Sequence, residues 1–318
     1  MKPLHRLAAI ALALALPLAG AQAETRITYK SAKTGTSYYQ MGVQIAEAIK
    51  AGTDGNVILT VEESQGSVQN VMEAAVRPGN YVFTSPPALV GSALAGTGPF
   101  KDRPSPKFAE IRALFPIPSL TMHFVVRADA GVNDFAGLAG RKLLIGKGSF
   151  GADEGRRYLQ MFGLEDKVQV ADAELSNAVA ALKNGQIDGF VTAGSFPAPN
   201  VMEAAAGTGV RLVPLTDEQI AQTKRARIVI PAGTYPGQDR DVPTTSLPVV
   251  AYATTAMDDD TAYLMTRTYW EQKEKMGAAS AWWKGVDFGL LANVTTRLHP
   301  GAIRYYTERG VELAAAHR

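Results

Sequence analysis

The chain has 318 residues, with 32 Lys and Arg against 30 Asp and Glu, 46% hydrophobic residues and no cysteine. A net charge of only +2 over that length argues against nucleic acid or an anionic lipid surface as partner. Without cysteine there is no disulfide framework, and the length allows about two ordinary domains of roughly 150 residues each.

Met1 to Ala23 carries Lys2 and Arg6, an uncharged run from Leu7 to Gly20, and the small-x-small sequence Ala21-Gln22-Ala23. This pattern predicts a secretory signal peptide. An exported chain that folds without disulfides suits a bacterial periplasm. Strands are expected at Arg26–Tyr29, Val57–Val61 and Tyr81–Phe83, with a helix whose face is Val68, Val71, Met72, Ala75 and Val76. The uncharged stretch Asn80–Phe100 contains Pro86, Pro87 and Pro99, so it reads as strand, loop and short helix and not as a membrane span.

Further strands are expected at Glu110–Phe115, Thr121–Val126, Lys142–Ile145, Val168–Val170 and Gly189–Ala193, with helices at Ala152–Phe162, Ser176–Asn184 and Asp258–Met276. This alternation predicts an α/β fold with largely parallel sheets. Thr121–Arg127 and Pro231–Pro248 are candidate crossings between domains. Trp270, Trp282 and Trp283 all lie in the last third, which predicts that the tail packs back on one domain as a helical layer.

Four strand-to-helix turns share one composition. Lys33-Thr34-Gly35-Thr36-Ser37-Tyr38-Tyr39 follows the first strand. Gly66-Ser67-Val68-Gln69-Asn70 follows the second, with Ser67 as the expected N-cap and Asn70 one turn on. Thr84-Ser85-Pro86 follows the third, and Gly148-Ser149-Phe150-Gly151 follows Lys142–Ile145. Each could be no more than a helix cap. Their recurrence points to a site, because ligands of open α/β sheets sit at the carboxyl ends of strands and helix N-termini hold anions.

A competing reading starts from Gly146-Lys147-Gly148-Ser149-Phe150-Gly151, which satisfies G-x-G-x-x-G after a strand and has Asp172 in range for a ribose contact. It would make the chain an exported dinucleotide-dependent oxidoreductase, although no acid or base is positioned for hydride chemistry. Metal and nucleophile signals are weak. His123, His299 and His317 are dispersed, Ser149 lacks the G-x-S-x-G context, and Asp258-Asp259-Asp260 reads as an acidic first turn of a helix. His123, on an apolar strand, is expected to be a core or hinge histidine.

Taken in order, these turns resemble the TAXI family, the solute receptors of one class of TRAP importers. The resemblance also rests on Ile111-Arg112-Ala113-Leu114-Phe115, on His123-Phe124-Val125-Val126-Arg127, and on Phe135 to Arg141. Further on it includes Asn184-Gly185-Gln186-Ile187-Asp188-Gly189, Ala193-Gly194 with Pro197, and Ile230 to Tyr235. It implies a two-lobed periplasmic binding protein fold, each lobe a mostly parallel sheet flanked by helices, with the ligand in the inter-lobe cleft. Lobe 1 would be 24–123 plus 240–318, and lobe 2 would be 124–239. By position, the ligand shell would draw on Thr34, Thr36, Tyr38, Tyr39, Ser67, Asn70 and Ser85 from lobe 1, and on Ser149 with its neighbouring backbone from lobe 2.

The resemblance further implies no enzymatic activity and no cofactor. The receptor would be a monomer that does not span the membrane, with a small organic acid as ligand and an integral membrane TRAP permease as partner. Two departures from the family pattern bear on the ligand: Lys33 stands where a small residue is usual, and Phe150 replaces a glycine. If Lys33 neutralises a ligand carboxylate, the expected ligand is a C4 or C5 dicarboxylate or a glutamate-like acid such as 2-oxoglutarate. Otherwise Lys33 is a solvated loop residue.

Overall fold

The computed structural model describes residues 24–77 and 79–318; the signal peptide expected over Met1–Ala23 lies outside them. Strand β1 (Thr25–Lys30) leads to helix α1 (Ser37–Gly52), whose Met41, Ile45 and Ile49 recur at helical spacing and are fully buried. Burying each of these side chains stabilises the fold by about 1.5–3 kcal/mol. There follow β2 (Val57–Glu62), α2 (Ser67–Ala74), β3 (Tyr81–Ser85), α3 (Pro87–Ala95) and the long strand β4 (Ile111–Arg127). The next stretch holds β5 (Lys142–Leu144), α4 (Phe150–Met161), β6 (Gln169–Ala171), α5 (Ala178–Lys183) and β7 (Gly189–Gly194). After them come α6 (Pro199–Thr208), β8 (Val210–Leu212), α7 (Asp217–Thr223) and β9 (Ala226–Ile230), then β10 (Val242–Thr254), α8 (Asp259–Ala279) and α9 (Pro300–Glu308).

The strands form one sheet in the order β2-β1-β3-β10-β4-β7-β5-β6, with β8 added to β4 and β9 to β10. Parallel pairing occurs in both flanks, β1 with β2 and β3, and β5 with β6 and β7. The two central strands run antiparallel to their neighbours, because the chain crosses on β4 and returns on β10. Thr121–Val126 of β4 pairs with β7, while Val250–Tyr252 of β10 pairs with β3 and Val242–Ser246 with β9. The architecture is therefore two α/β lobes joined by adjacent strands.

Two expected strands, Glu110–Phe115 and Thr121–Val126, are one continuous strand. Proline has no N–H for a ladder, which argues for a break at Pro116 and Pro118. The break is instead absorbed by a register shift: Leu120 pairs with Leu247 and Ile117 with Val249, leaving Pro118 and Pro248 in the irregular gap. The crossing expected over Pro231–Pro248 is a loop up to Asp241, and only then the strand β10. The helix expected at Ser176–Asn184 is shorter, a 3-10 turn over Leu175–Asn177 followed by α5.

The tail packs against α1 and the first part of β4. The Trp283 indole N–H donates to Gln44 Oε1 on α1 at 2.7 Å, and the Tyr269 hydroxyl donates to the Pro116 carbonyl at 2.8 Å. Trp282 reaches the other lobe, donating to the Pro197 carbonyl at 3.1 Å. In lobe 2, α4 is fastened by the buried Glu154, which receives two bonds from Arg225 at 2.7 and 3.1 Å and two from Arg157 at 3.0 and 3.1 Å.

Candidate functional site

The carboxyl ends of β1, β2 and β3 in lobe 1 and of β5 in lobe 2 each turn directly into a helix, and these turns face one another across the cleft. At the first, Thr36 is the N-cap of α1: its hydroxyl accepts from the Tyr39 N–H at 3.3 Å and donates to the Lys33 carbonyl at 2.7 Å. At the fourth, Ser149 caps α4, accepting from the Ala152 N–H at 3.1 Å. At the second, Ser67 is not the cap. Gly66 holds that position with φ 123° and ψ −163°, a conformation essentially confined to glycine, and Ser67 is the first helical residue.

Gly66 has a second reason to be glycine. A Cβ placed on it would lie 2.7 Å from the Ser149 Cβ of the opposite lobe. Nearby, the Gln65 Cβ would lie 3.2 Å from a Cβ on Gly148. The two loops are therefore in contact and the cleft is closed. Between them is a cavity in which the centre of a water molecule could sweep about 60 Å³.

Of the residues singled out from the sequence, Lys33, Thr36, Tyr38, Ser67, Ser149 and Phe150 line this cavity. Thr34, Tyr39, Asn70 and Ser85 lie outside its wall. Thr34 is exposed and its N–H lies 3.4 Å from Glu63 Oε1; Tyr39 is half-buried a few residues along the same turn. Ser85 is buried with its hydroxyl donating to the Pro86 carbonyl at 3.2 Å. Asn70 is a strut: its fully buried Nδ2 donates to the Ser31 and Thr84 carbonyls at 2.7 and 3.0 Å and approaches the Lys30 carbonyl at 3.4 Å. It thus fixes the ends of β1 and β3 relative to α2.

Several other wall residues carry no local signal in the sequence. Leu120, Ile145, Leu175, Val191 and Val249 form an apolar body. They are strand and turn residues of ordinary core type, and only the sheet topology places them at the crossing. Glu174 sits in the turn after β6, a polar loop position like many others.

The two lysines at the cleft are each paired with carboxylates. The Lys33 ammonium lies 3.7 Å from both Glu63 Oε1 in lobe 1 and Glu174 Oε2 in lobe 2. With the Gln65 amide oriented to satisfy its neighbours, its oxygen accepts from Lys33 Nζ at 3.0 Å and its nitrogen donates to Glu174 Oε2 at 3.0 Å. Lys147 is ion-paired with Asp172. What remains for an anion is the positive ends of α1, α2 and α4: the Tyr39 and Ala152 N–H groups are taken by their caps, and the other first-turn N–H groups have no partner within their own helices.

His123 lies where β4 crosses. Its Nδ1 is 3.0 Å from the Thr121 carbonyl, so that nitrogen carries the proton and Nε2 accepts from the Tyr235 hydroxyl at 2.8 Å. Tyr235 in turn accepts from the Ala198 N–H at 2.8 Å. Burial lowers the His123 pKa to about 4, so the ring is neutral at pH 7, as a hinge histidine would be.

The glycine fingerprint does not open onto room for a dinucleotide. Gly146 and Gly148 have positive φ, and a Cβ on Gly151 would fall within van der Waals contact of Ala193, so all three glycines serve the turn and the packing of α4 on β7. The space above Gly148 and Ser149 is filled by Gln65 and Gly66 of lobe 1, and Asp172 is bound by Lys147. At about 10–15 Å³ for each water-sized position, 60 Å³ is room for a small organic molecule and not for a dinucleotide. Among the described residues no three His, Cys, Asp or Glu side chains are grouped to hold a metal ion, and no helix is long and apolar enough to cross a membrane.

The fold is that of two-lobed periplasmic binding proteins. The chain superposes on the periplasmic binding protein BugD with a TM-score of 0.54 and 11% identity, covering 91% of this chain and 99% of that one. It superposes equally, at a TM-score of 0.54 and 10% identity, on MatC from Rhodopseudomonas palustris with bound malate, covering 85% and 88%. The sequence profile of one family matches residues 30–310, nearly the whole described chain. On that match the protein belongs to the NMT1-like family.

Proposed function

We propose that this protein is an extracytoplasmic solute receptor that closes on a small carboxylate and delivers it to a secondary importer of the TRAP type, as the resemblance to TAXI receptors implies. The observation that carries this reading is the closed cavity onto which the N-termini of α1, α2 and α4 converge from both lobes. Such ends favour a bound anion and cost no mobile side chain, and the cleft walls exclude water from it. Thr36, Tyr38, Ser67, Ser149 and Phe150, with first-turn N–H groups beside them, would form the ligand shell, and Lys33 would sit at its rim. The lobes would be 24–123 with 240–318, and 124–239, and the receptor would act as a periplasmic monomer. Closure contacts such as Gly66 against Ser149 exist only between lobes, so a ligand that bridges them shifts an open-closed equilibrium.

The ligand class spans C4 and C5 dicarboxylates, glutamate-like acids such as 2-oxoglutarate, and simpler monocarboxylates; Lys33 is the residue on which the choice turns. A thermal-shift screen against amino acids, dicarboxylates and 2-oxo acids tests the reading. A ligand at 100 times its dissociation constant adds about 2.7 kcal/mol, a shift of several degrees. A protein unmoved by every acid but stabilised by NAD(H) would overturn it.

A further inference from the structure

Resting on the proposed capture of a small carboxylate, the geometry points to a ligand that carries a single negative charge, and to Glu174 as the residue that rejects a second. The Lys33 ammonium is the positive side chain that would meet a second carboxylate, and it is already shared. Glu63 holds it from its own lobe and Glu174 from the opposite lobe, both at 3.7 Å, while Gln65 bridges the ammonium and the Glu174 carboxylate at 3.0 Å each. Lys147, the other lysine of the wall, is paired with Asp172. Counted at pH 7, these two lysines and three carboxylates already sum to one negative charge.

The three helix N-termini together present roughly one and a half positive charges, distributed over their first-turn N–H groups, enough for one carboxylate and not for two. A second carboxylate would lie against Leu120, Ile145, Val191 and Val249, beside the Thr84 and Thr192 hydroxyls, which are already engaged by Tyr29 at 2.9 Å and Asn200 at 3.1 Å, or beside Glu174, where a like charge repels it; none of these places supplies a positive charge for it. Freeing Lys33 for it would break the link between Lys33 and Glu174 that joins the lobes at the mouth. The ligand is thus a monocarboxylate with an apolar or uncharged polar body. Glu174 selects by charge from a position that only the closed cleft brings to the site, so the discrimination is exerted at closure.

The test compares 2-oxopentanoate with 2-oxoglutarate, acids of the same carbon count that differ by a terminal methyl against a carboxylate. Titration calorimetry on the wild-type protein is expected to give at least tenfold tighter binding of 2-oxopentanoate. In Glu174→Gln, which leaves Lys33 only Glu63 as counter-charge and removes the repelling charge at a half-exposed position, that ratio is expected to shrink at least fivefold, chiefly by tighter binding of 2-oxoglutarate. Wild-type protein that binds 2-oxoglutarate as tightly as 2-oxopentanoate, or a ratio unchanged in Glu174→Gln, overturns the inference and leaves the carboxylate receptor standing. Failure of both acids, and of succinate and glutamate, to bind at millimolar concentration overturns both.

Discussion

Replacing Gly66 by alanine separates two costs that the structure assigns to one residue. The first is local: φ 123° and ψ −163° are foreign to a residue with a Cβ, at about 1–3 kcal/mol, and this applies whether the cleft is open or closed. The second exists only on closure. The new Cβ would lie 2.7 Å from the Ser149 Cβ, whereas apolar carbons rest at 3.5–4.0 Å, so the loops must part by about 1 Å or more. Overpacking of this kind costs about 1–3 kcal/mol, which corresponds to ligand affinity reduced by roughly 5- to 150-fold. Ser149→Gly removes the opposing Cβ and weakens the α4 cap by only a few tenths of a kcal/mol. A double-mutant cycle read by calorimetry, with the acid that binds wild-type protein most tightly, should therefore give a coupling of at least about 1 kcal/mol, with the double variant recovering part of the affinity, since the Ser149 Cα still lies 3.1 Å from the new Cβ. Melting temperature should stay low in both the single and the double variant that carry Gly66→Ala, because the backbone strain is not relieved. Additive effects on affinity, within about 0.3 kcal/mol, would mean that these loops do not meet in the liganded state.

Glu154→Gln leaves the partly exposed Arg225 and Arg157 without their counter-charge and should cost about 1.5–3 kcal/mol, read as a melting temperature lower by at least about 3 °C. Burial raises the Glu154 pKa but the two guanidiniums outweigh it and hold it below its ordinary value. The deficit of the variant should thus be constant above about pH 5 and shrink as pH falls through the folded-state pKa, which pH-dependent melts would reveal. His123 acts in the same direction over a different window. Its folded pKa near 4 against about 6.5 unfolded means that the unfolded chain binds the proton first, so about 3 kcal/mol of stability is lost as pH drops from 6.5 to 4. His123→Gln should flatten that part of the curve, and parallel curves would contradict it. Asn70→Asp replaces a donor facing three carbonyls with an acceptor and should cost at least about 2 kcal/mol in chemical denaturation. Its ligand affinity, measured below the melting range, should stay within twofold of wild type.

What can be read from the sequence follows the range of the interaction. Strand-to-helix turns are local, so Thr36 and Ser149 are identifiable as caps and, from their recurrence, as candidates for a site wall. Gly66 displaces Ser67 from the cap because its backbone takes φ 123° and ψ −163°, and the approach of Ser149 from the other lobe leaves no room for a Cβ there, a contact with no sequence signature. Asn70 stands in the right turn but faces inward to three carbonyls, since α2 presents it to the strand ends and not to the cleft. The apolar wall is hidden for the same reason that Pro118 reads as the end of a strand: both depend on how β4 and β10 pair, at a separation of well over 100 residues. Glu174 is not identifiable, because its pairing with Lys33 exists only across the closed mouth.

The two crossing strands also decide what kind of movement the lobes can make. Neighbouring strands joined by a ladder resist sliding along their length, because a slip of one residue would turn every side chain to the wrong face. They resist separation through their remaining hydrogen bonds, but a pair only two strands wide bends and twists with little resistance. At Pro118 and Pro248 the ladder is interrupted on both strands at the same level, so the pair is most compliant there, close to the cavity floor formed by Leu120 and Val249. Bending at that level swings the rim residues Lys33 and Glu174 through a wide arc while the floor hardly moves. On the proposed function the molecule would work as a jaw with its pivot beneath the ligand, and the rim, far from the pivot, would meet the ligand last.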